Sequence, residues 1–316
     1  MPSASPAQSK PTRIDVHRHF VPPGHQVDAR RQHLNDRATI AHQLEDMDKG
    51  GVALSVATVI VPELKLQDEQ AATKFARLAN DFLAKLRADH PGRFGMFASL
   101  PFPYVDATLK EIEYACDRLK ADGVFLWTNY GTTFLGDPVF TPVFEELNRR
   151  NAVLYTHPTS HPCCVGIVPG LRDADIEYGT NTTRAIAKMI FSGTTRRYPD
   201  MRVIWSHAGG TMPFLVRRFI KRVYESPEYI PVLPDGFVAE AKKQFYDCAQ
   251  SPDAPQMASL RAVVPVSQIL LGTDAPFLSA EEHVSGLVKS GVFNEAELQA
   301  IGRDNALRLM PTLKPA

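Results

Sequence analysis

Apolar residues in this chain gather into eight short runs: Ile14–Val16, Val52–Ile60, Phe94–Leu100, Val124–Trp127, Val153–Tyr155, Val203–Trp205, Phe245–Cys248 and Ile269–Leu271. Between them, apolar positions recur every three or four residues over Thr39–Lys49, Asp68–Ala88, Val105–Lys120, Val139–Arg150, Thr182–Arg197 and Ala280–Ser290. Short, nearly continuous apolar runs predict strands buried on both faces, and the helical spacing predicts the helices that cover them. Gly50-Gly51 and Asp122-Gly123 close helices ahead of strands, and Tyr198-Pro199-Asp200 stops the helix before the sixth strand.

Eight such units predict an α/β fold of the closed (β/α)₈ barrel type over a doubly wound open sheet. No Gly-x-Gly-x-x-Gly follows the first run, which removes the fingerprint of a dinucleotide-binding sheet. Residues 1–12, small, polar and proline-bearing, are expected to form a disordered tail, and residues 13–316 a single domain. The proline-rich stretch Tyr224–Phe237 is expected to be an excursion between units six and seven.

Composition narrows the function classes. Lysine plus arginine equals aspartate plus glutamate at 35 each, so net charge offers no reason to expect nucleic acid or an anionic membrane as partner. No stretch is apolar for long enough to span a bilayer, and the first residues lack the apolar core of a signal peptide. Of the four cysteines, Cys116, Cys163, Cys164 and Cys248, only Cys163 and Cys164 are adjacent, a spacing poorly suited to an ordinary disulfide. A reduced, cytoplasmic chain is the expectation.

The candidate chemistry lies where the apolar runs stop. His17 and His19 end the first run, His157 the fifth, His207 the sixth and Asp274 the eighth. Residues two apart on a strand share a side, so His17 and His19 are expected to face one point. The C-terminal strand ends of a parallel barrel open on one face, which gathers all five residues at one mouth. Neutral imidazoles and a carboxylate suit Zn²⁺ or a similar divalent cation. His25, His33, His42, His90 and His283 fall in loops or helices and are expected to be surface or packing residues, while His161 is expected to be a loop residue near the pocket. Trp127 and Tyr130, with Phe134 nearby, are candidates to wall a flat aromatic substrate.

These segments resemble those of the amidohydrolase superfamily, in its aminocarboxymuconate-semialdehyde decarboxylase-like branch. The resemblance runs through Ile14–Pro23, Tyr155–Pro158, Phe191–Asp200, Trp205–Gly210 and Gly272–Phe277, in order and over nearly the whole chain. Val143–Arg150, followed by His157-Pro158-Thr159 and Pro162-Cys163-Cys164, is similar to the 6-methylsalicylate and resorcylate type of decarboxylase.

The resemblance implies that His17, His19, His157 and Asp274 hold one metal ion, Zn²⁺ or Mn²⁺. It implies that His207 handles protons beside that ion, and that Asp274 acts in catalysis as well as ligation. It further implies a homodimer in which Arg218, or its neighbour Arg217, reaches the other subunit's site to hold a substrate carboxylate. Arg30 or Arg31 is a second candidate for that role. The fourth run ends Trp127-Thr128-Asn129, without the lysine that binuclear relatives use as a bridge, so a single metal is expected. The reaction implied is metal-dependent decarboxylation of a hydroxybenzoate-like or other unsaturated carboxylic acid. Hydrolysis of a lactone, ester or amide at a mononuclear site is the alternative.

Overall fold

The structure is a computed structural model, and it describes residues 11–26, 32–60 and 68–315. Eight strands form one parallel sheet in simple sequential order. They are β1 (Arg13–Phe20), β2 (Val52–Val59), β3 (Phe94–Ser99), β4 (Gly123–Trp127), β5 (Val153–His157), β6 (Arg202–Trp205), β7 (Phe245–Asp247) and β8 (Ile269–Leu270). The last strand returns to the first: Val16 N donates to Leu271 O at 2.9 Å, Asp274 N to His17 O at 2.8 Å and His19 N to Ala275 O at 2.8 Å. The sheet therefore wraps into the expected (β/α)₈ barrel, with helices between successive strands.

Each strand is buried on both faces, as its apolar run predicts. The inner face carries Ile14, Val16, Leu54, Val56, Phe97, Phe125, Tyr155, Ile204, Phe245 and Leu270. The outer face packs with the helices through residues such as Leu126, Leu154, Ile186, Met189 and Trp205. Each such side chain contributes about 1.5–3 kcal/mol by leaving water. Tyr155 stacks on Phe97 with ring centroids 5.1 Å apart and stands 5.2 Å from the His17 ring. This aromatic layer is the floor of the barrel mouth.

The helices differ from expectation at their ends. The helix expected over 182–197 begins at Asp173, runs to Phe191 and is broken by Gly193 before a short helix over Thr194–Arg197. The one expected over 105–120 is regular only to Glu113 and continues as a wider π turn over Tyr114–Arg118. The helices Met212–Glu225 and Ala254–Arg261 were hidden in the sequence, because each begins next to a proline that reads as a breaker when it in fact occupies the first helical turn. Within Tyr224–Phe237 the chain makes a short 3₁₀ turn, Pro227–Tyr229, before the next helix starts at Gly236. Of the expected tail, residues 1–10 lie outside the described residues, while Thr12 N already donates to Gly51 O.

The cysteine expectation needs correcting. Cys163 and Cys164 are joined in a vicinal disulfide, inside the 3₁₀ turn Pro162–Cys164. That tight turn brings neighbouring sulfurs together where an extended chain would point them apart. Cys116 and Cys248 are free thiols.

Candidate metal centre and active site

The mouth of the barrel is built from strand ends, and two local devices aim the ligands. Between Asp15 and Arg18, β1 carries one residue more than β2, a bulge that keeps Val16 in the inner core while His17 and His19 turn into the mouth. After β6, β7 and β8 the backbone is left-handed at His207 (φ 55°) and Ala208 (φ 56°), at Gln250 (φ 54°) and at Asp274 (φ 59°). Such values are uncommon for residues with a Cβ and gather at functional sites. Glycine is required beside them. A Cβ on Gly272 would lie 2.9 Å from both Asp247 and His17, and one on Gly210 only 2.0 Å from Gly179 O.

The ligand atoms of His17, His19, His157 and Asp274 all lie within 4.8 Å of one another, and all four residues are buried. His17 Nε2 is 3.0 Å from His19 Nε2. Asp274 Oδ1 lies 3.2 Å from His17 Nε2, 2.9 Å from His19 Nε2 and 4.0 Å from His157 Nε2.

Each imidazole is held from behind. Asp247 Oδ2 lies 2.9 Å from His17 Nδ1, Thr58 Oγ1 lies 2.7 Å from His19 Nδ1, and Pro158 O lies 2.9 Å from His157 Nδ1. A carboxylate and a carbonyl can only accept, and the Thr58 hydroxyl gives its own hydrogen to Arg18 O at 3.1 Å. The Nδ1 atoms are therefore the protonated ones, and all three Nε2 lone pairs point into the mouth.

Three polar atoms there, His157 Nε2, His207 Nε2 and Asp274 Oδ1, are buried without a hydrogen-bond partner among the described residues. Buried polar atoms left in this way are costly, and convergent lone pairs repel unless a cation sits between them. Three imidazole nitrogens and one carboxylate oxygen are a donor set for a single divalent cation. The fourth strand ends at Trp127 without a lysine, in keeping with one ion.

The electrostatics agree. Burial opposes charge on His17, yet the carboxylates of Asp247 and Asp274 outweigh it and raise its pKa to about 10. The site therefore calls for one positive charge: a proton on Nε2 when no ion is bound, or a cation that takes that proton's place on the lone pair. Burial drives His19 down and His157 well below its usual value, which leaves neutral rings suited to ligation. Burial would raise Asp274, but His17, His19 and His207 hold its carboxyl well below the ordinary range.

His207 stands beside this cluster. Its ring centroid is 5.1 Å from that of His17 and 5.2 Å from that of His157, and its Nε2 lies 3.5 Å from Asp274 Oδ2. Trp127 pairs in register with His157, and their rings meet edge-on at 5.6 Å. Tyr130 sits one layer further back, its hydroxyl accepting from Trp127 N at 3.1 Å and its ring packed on Phe102 and Phe140. Trp127 and Tyr130 both line a cavity of about 50 Å³ shared with Phe75, Leu100 and Phe125.

Arg217 and Arg218 are exposed on the outer helix Met212–Glu225, and Arg30 and Arg31 lie outside the described residues. His161 stacks on Phe134 at 5.3 Å and accepts from Cys163 N at 3.1 Å. With Cys163 and Cys164 it forms a second group of converging donors, but sulfurs bonded to each other offer no thiolate.

Several residues at the mouth were not singled out from sequence. Asp247 fixes His17 and also accepts from His207 N at 2.9 Å. Thr58 fixes His19 because the parallel register sets the two side by side. Tyr178, on the helix after β5, and Phe277, just after β8, bring rings to 6.1 Å from His157 and His19 respectively. Asp247 alone carried a signal, a carboxylate lying within the last residues of the seventh apolar run, Phe245–Cys248.

Comparison with known proteins points the same way. The Amidohydro_2 family, described as amidohydrolase, matches residues 14–312. A 6-methylsalicylic acid decarboxylase of Penicillium expansum is 32% identical over 321 residues, covering 96% of this chain and 97% of its own. A solved structure of 2,6-dihydroxybenzoate decarboxylase complexed with 2,6-dihydroxybenzoate superposes with a TM-score of 0.85 at 23% identity, over 95% of this chain and 99% of the other. A dihydroxybenzoic acid decarboxylase from Polaromonas sp., with bound manganese and the inhibitor 2-nitroresorcinol, gives a TM-score of 0.83 at 21% identity, over 95% and 97%. At such identities the structural likeness speaks for the fold.

Proposed function

The chain belongs to the amidohydrolase family, and from that premise we propose that it is a metal-dependent, non-oxidative decarboxylase of a hydroxybenzoate of the salicylate type. The observation that carries the reading is the cluster of three Nε2 atoms and Asp274 Oδ1, with the rings of Trp127, Tyr178 and Phe277 set edge-on against its imidazoles. The decarboxylases among its relatives favour loss of CO₂ over the hydrolytic alternative.

His17, His19, His157 and Asp274 are the residues that hold the ion. When bound it supplies Lewis acidity and a fixed positive charge for the substrate's carboxylate and neighbouring hydroxyl. Zn²⁺ is our choice from the donor set, and the manganese of the Polaromonas structure makes Mn²⁺ the alternative to test beside it.

The remaining work falls to protein groups. Asp274 Oδ2 and His207 Nε2 form the pair that passes a proton from solvent to the ring carbon bearing the carboxylate, the ionised Asp274 taking it up through His207 before handing it on. Protonation there interrupts the aromatic system, and the carbon–carboxylate bond then breaks, its electron pair restoring the ring as CO₂ departs. Trp127, with Tyr130 bracing it, fixes the plane of the ring.

We further propose that residues 13–316 act as one catalytic domain and that the enzyme is a homodimer. Phe214, 85% exposed, stands one turn before Arg218 on the same helix, and Thr211 N meets Gly179 O at 3.4 Å, which sets this helix beside the one carrying the exposed Ile176. An apolar face of this kind, with an arginine next to it, suits a second copy that receives Arg218 as a carboxylate clamp. A cytoplasmic location belongs to the same proposal; the Cys163–Cys164 bond joins neighbours within one turn and ties no distant segments together, and Cys116 and Cys248 are free. Among the described residues no helix is long and apolar enough to cross a membrane.

The test is CO₂ release from 6-methylsalicylate, 2,6-dihydroxybenzoate and salicylate by protein loaded separately with Zn²⁺ and Mn²⁺, with Asp274→Ala as control. Release that depends on metal and disappears in the variant supports the proposal. Metal-loaded protein that releases none across the panel overturns it.

A further inference from the structure

The two oxygens of Asp274 have different surroundings. Oδ1 faces the three imidazole Nε2 atoms, whereas Oδ2 accepts from Gln250 Nε2 at 2.9 Å and lies 3.5 Å from His207 Nε2. Gln250 is exposed at the barrel mouth, so little packing holds its side chain. Its backbone is nevertheless fixed. The main-chain N–H donates to His283 Nε2 at 2.8 Å, and the residue is held in the left-handed region at φ 54°. His283 is completely buried on the helix Ala280–Lys289 and serves as the anchor. Gln250 also follows β7 directly, three residues after Asp247, so one strand end braces two ligands: His17 through Asp247 and Asp274 through Gln250.

A strained backbone pinned by a buried histidine, in order to aim an exposed amide at a ligand carboxylate, is a costly arrangement for a surface residue. We infer that Gln250 is a positioning residue for the metal centre. Its amide N–H₂ holds Asp274 Oδ2 away from the ion, so that the carboxylate ligates through Oδ1 alone and Oδ2 stays turned toward His207 and the substrate. Without that donor the carboxylate is free to rotate and present both oxygens to the ion, which removes the oxygen that works with His207.

The inference rests on the decarboxylase reading for its kinetic consequence, but its structural consequence is independent of it. The variants are Gln250→Met, which keeps the reach of the side chain and loses the donor, and Gln250→Glu, which keeps the shape and puts an acceptor in its place. Each is loaded with Co²⁺, whose d–d absorption reports coordination number. Each is also assayed for kcat, KM and metal content. We expect one ion per chain in both variants, a changed Co²⁺ spectrum, and kcat lowered by about 10–100-fold with little change in KM.

A Co²⁺ spectrum identical to that of the unaltered protein in both variants overturns the inference, as does an unchanged kcat. If the unaltered protein releases no CO₂, the decarboxylase reading fails, while the Co²⁺ comparison still decides the role of Gln250.

Discussion

Asp247 Oδ2 lies 2.9 Å from His17 Nδ1 at the closed end of the barrel mouth, both side chains fully buried, while Oδ1 of the same carboxylate accepts from the backbone of His207 and Ala249. An Asn in this place must give its oxygen to those two N–H groups, which turns its NH₂ toward His17. The imidazole then carries its hydrogen on Nε2 and offers no lone pair to the ion. Asp247→Asn is expected to weaken metal binding by about 10–100-fold while the barrel stays folded. Titration against a competing chelator measures this, and an unchanged affinity would remove Asp247 from the account.

A second buried carboxylate holds the barrel seam. Asp15 accepts from His17 N, Thr273 N, Thr273 Oγ1, Ser55 Oγ and Arg18 Nε, and so ties β1 to β2 and to the turn after β8. Arg18 is itself fully buried and continues to Gln43 and Asp46. Removing Asp15 leaves a buried guanidinium with part of its pairing gone, which costs about 3–5 kcal/mol. Asp15→Ala is expected to melt well below the unaltered protein in a thermal scan, whether or not metal is present.

Much of this was legible in the sequence, for a physical reason. Strands covered on both faces must be apolar, so the points where the runs break into His or Asp stand out: His17, His19, His157, His207 and Asp274. Thr58 and Gln250 were not legible, because their roles come from neighbours across a strand register and from a left-handed turn, neither of which leaves a composition signal. Tyr178 was hidden because the helix after β5 begins nine residues before the start that its apolar spacing predicts. The Cys163–Cys164 bond was missed since adjacency alone says nothing of the 3₁₀ turn that closes it.

Metal removal separates folding from function. The inner and outer cores are built of apolar side chains whose burial needs no ion, so chelated protein is expected to keep its helical circular dichroism. Rebinding favours the folded state by mass action, about 2.7 kcal/mol at a free metal concentration one hundred times the dissociation constant. The melting temperature should therefore climb with added Zn²⁺ or Mn²⁺, and a melting point indifferent to metal would contradict the site.

At acidic pH a surface cluster gives a separate signature. Arg149, against the effect of burial and with Arg150, lowers the Glu146 carboxyl to about 2. A carboxylate depressed in the folded state contributes stability above its unfolded pKa, and that contribution fades as pH falls through its folded value. The difference in melting temperature between the unaltered protein and Glu146→Gln is thus expected to be small and constant above roughly pH 5, and to shrink below it. A difference that grows on acidification would show the sign to be wrong.

The central claim is that this mouth protonates an aromatic carbon and releases CO₂. The most direct measurement is turnover of 6-methylsalicylate in D₂O by metal-loaded protein, with the product identified by NMR. The account predicts 3-methylphenol carrying deuterium at the carbon between hydroxyl and methyl, formed together with CO₂, and none from Asp274→Ala. Unchanged substrate in the presence of bound metal, or CO₂ release that survives in Asp274→Ala, would contradict it.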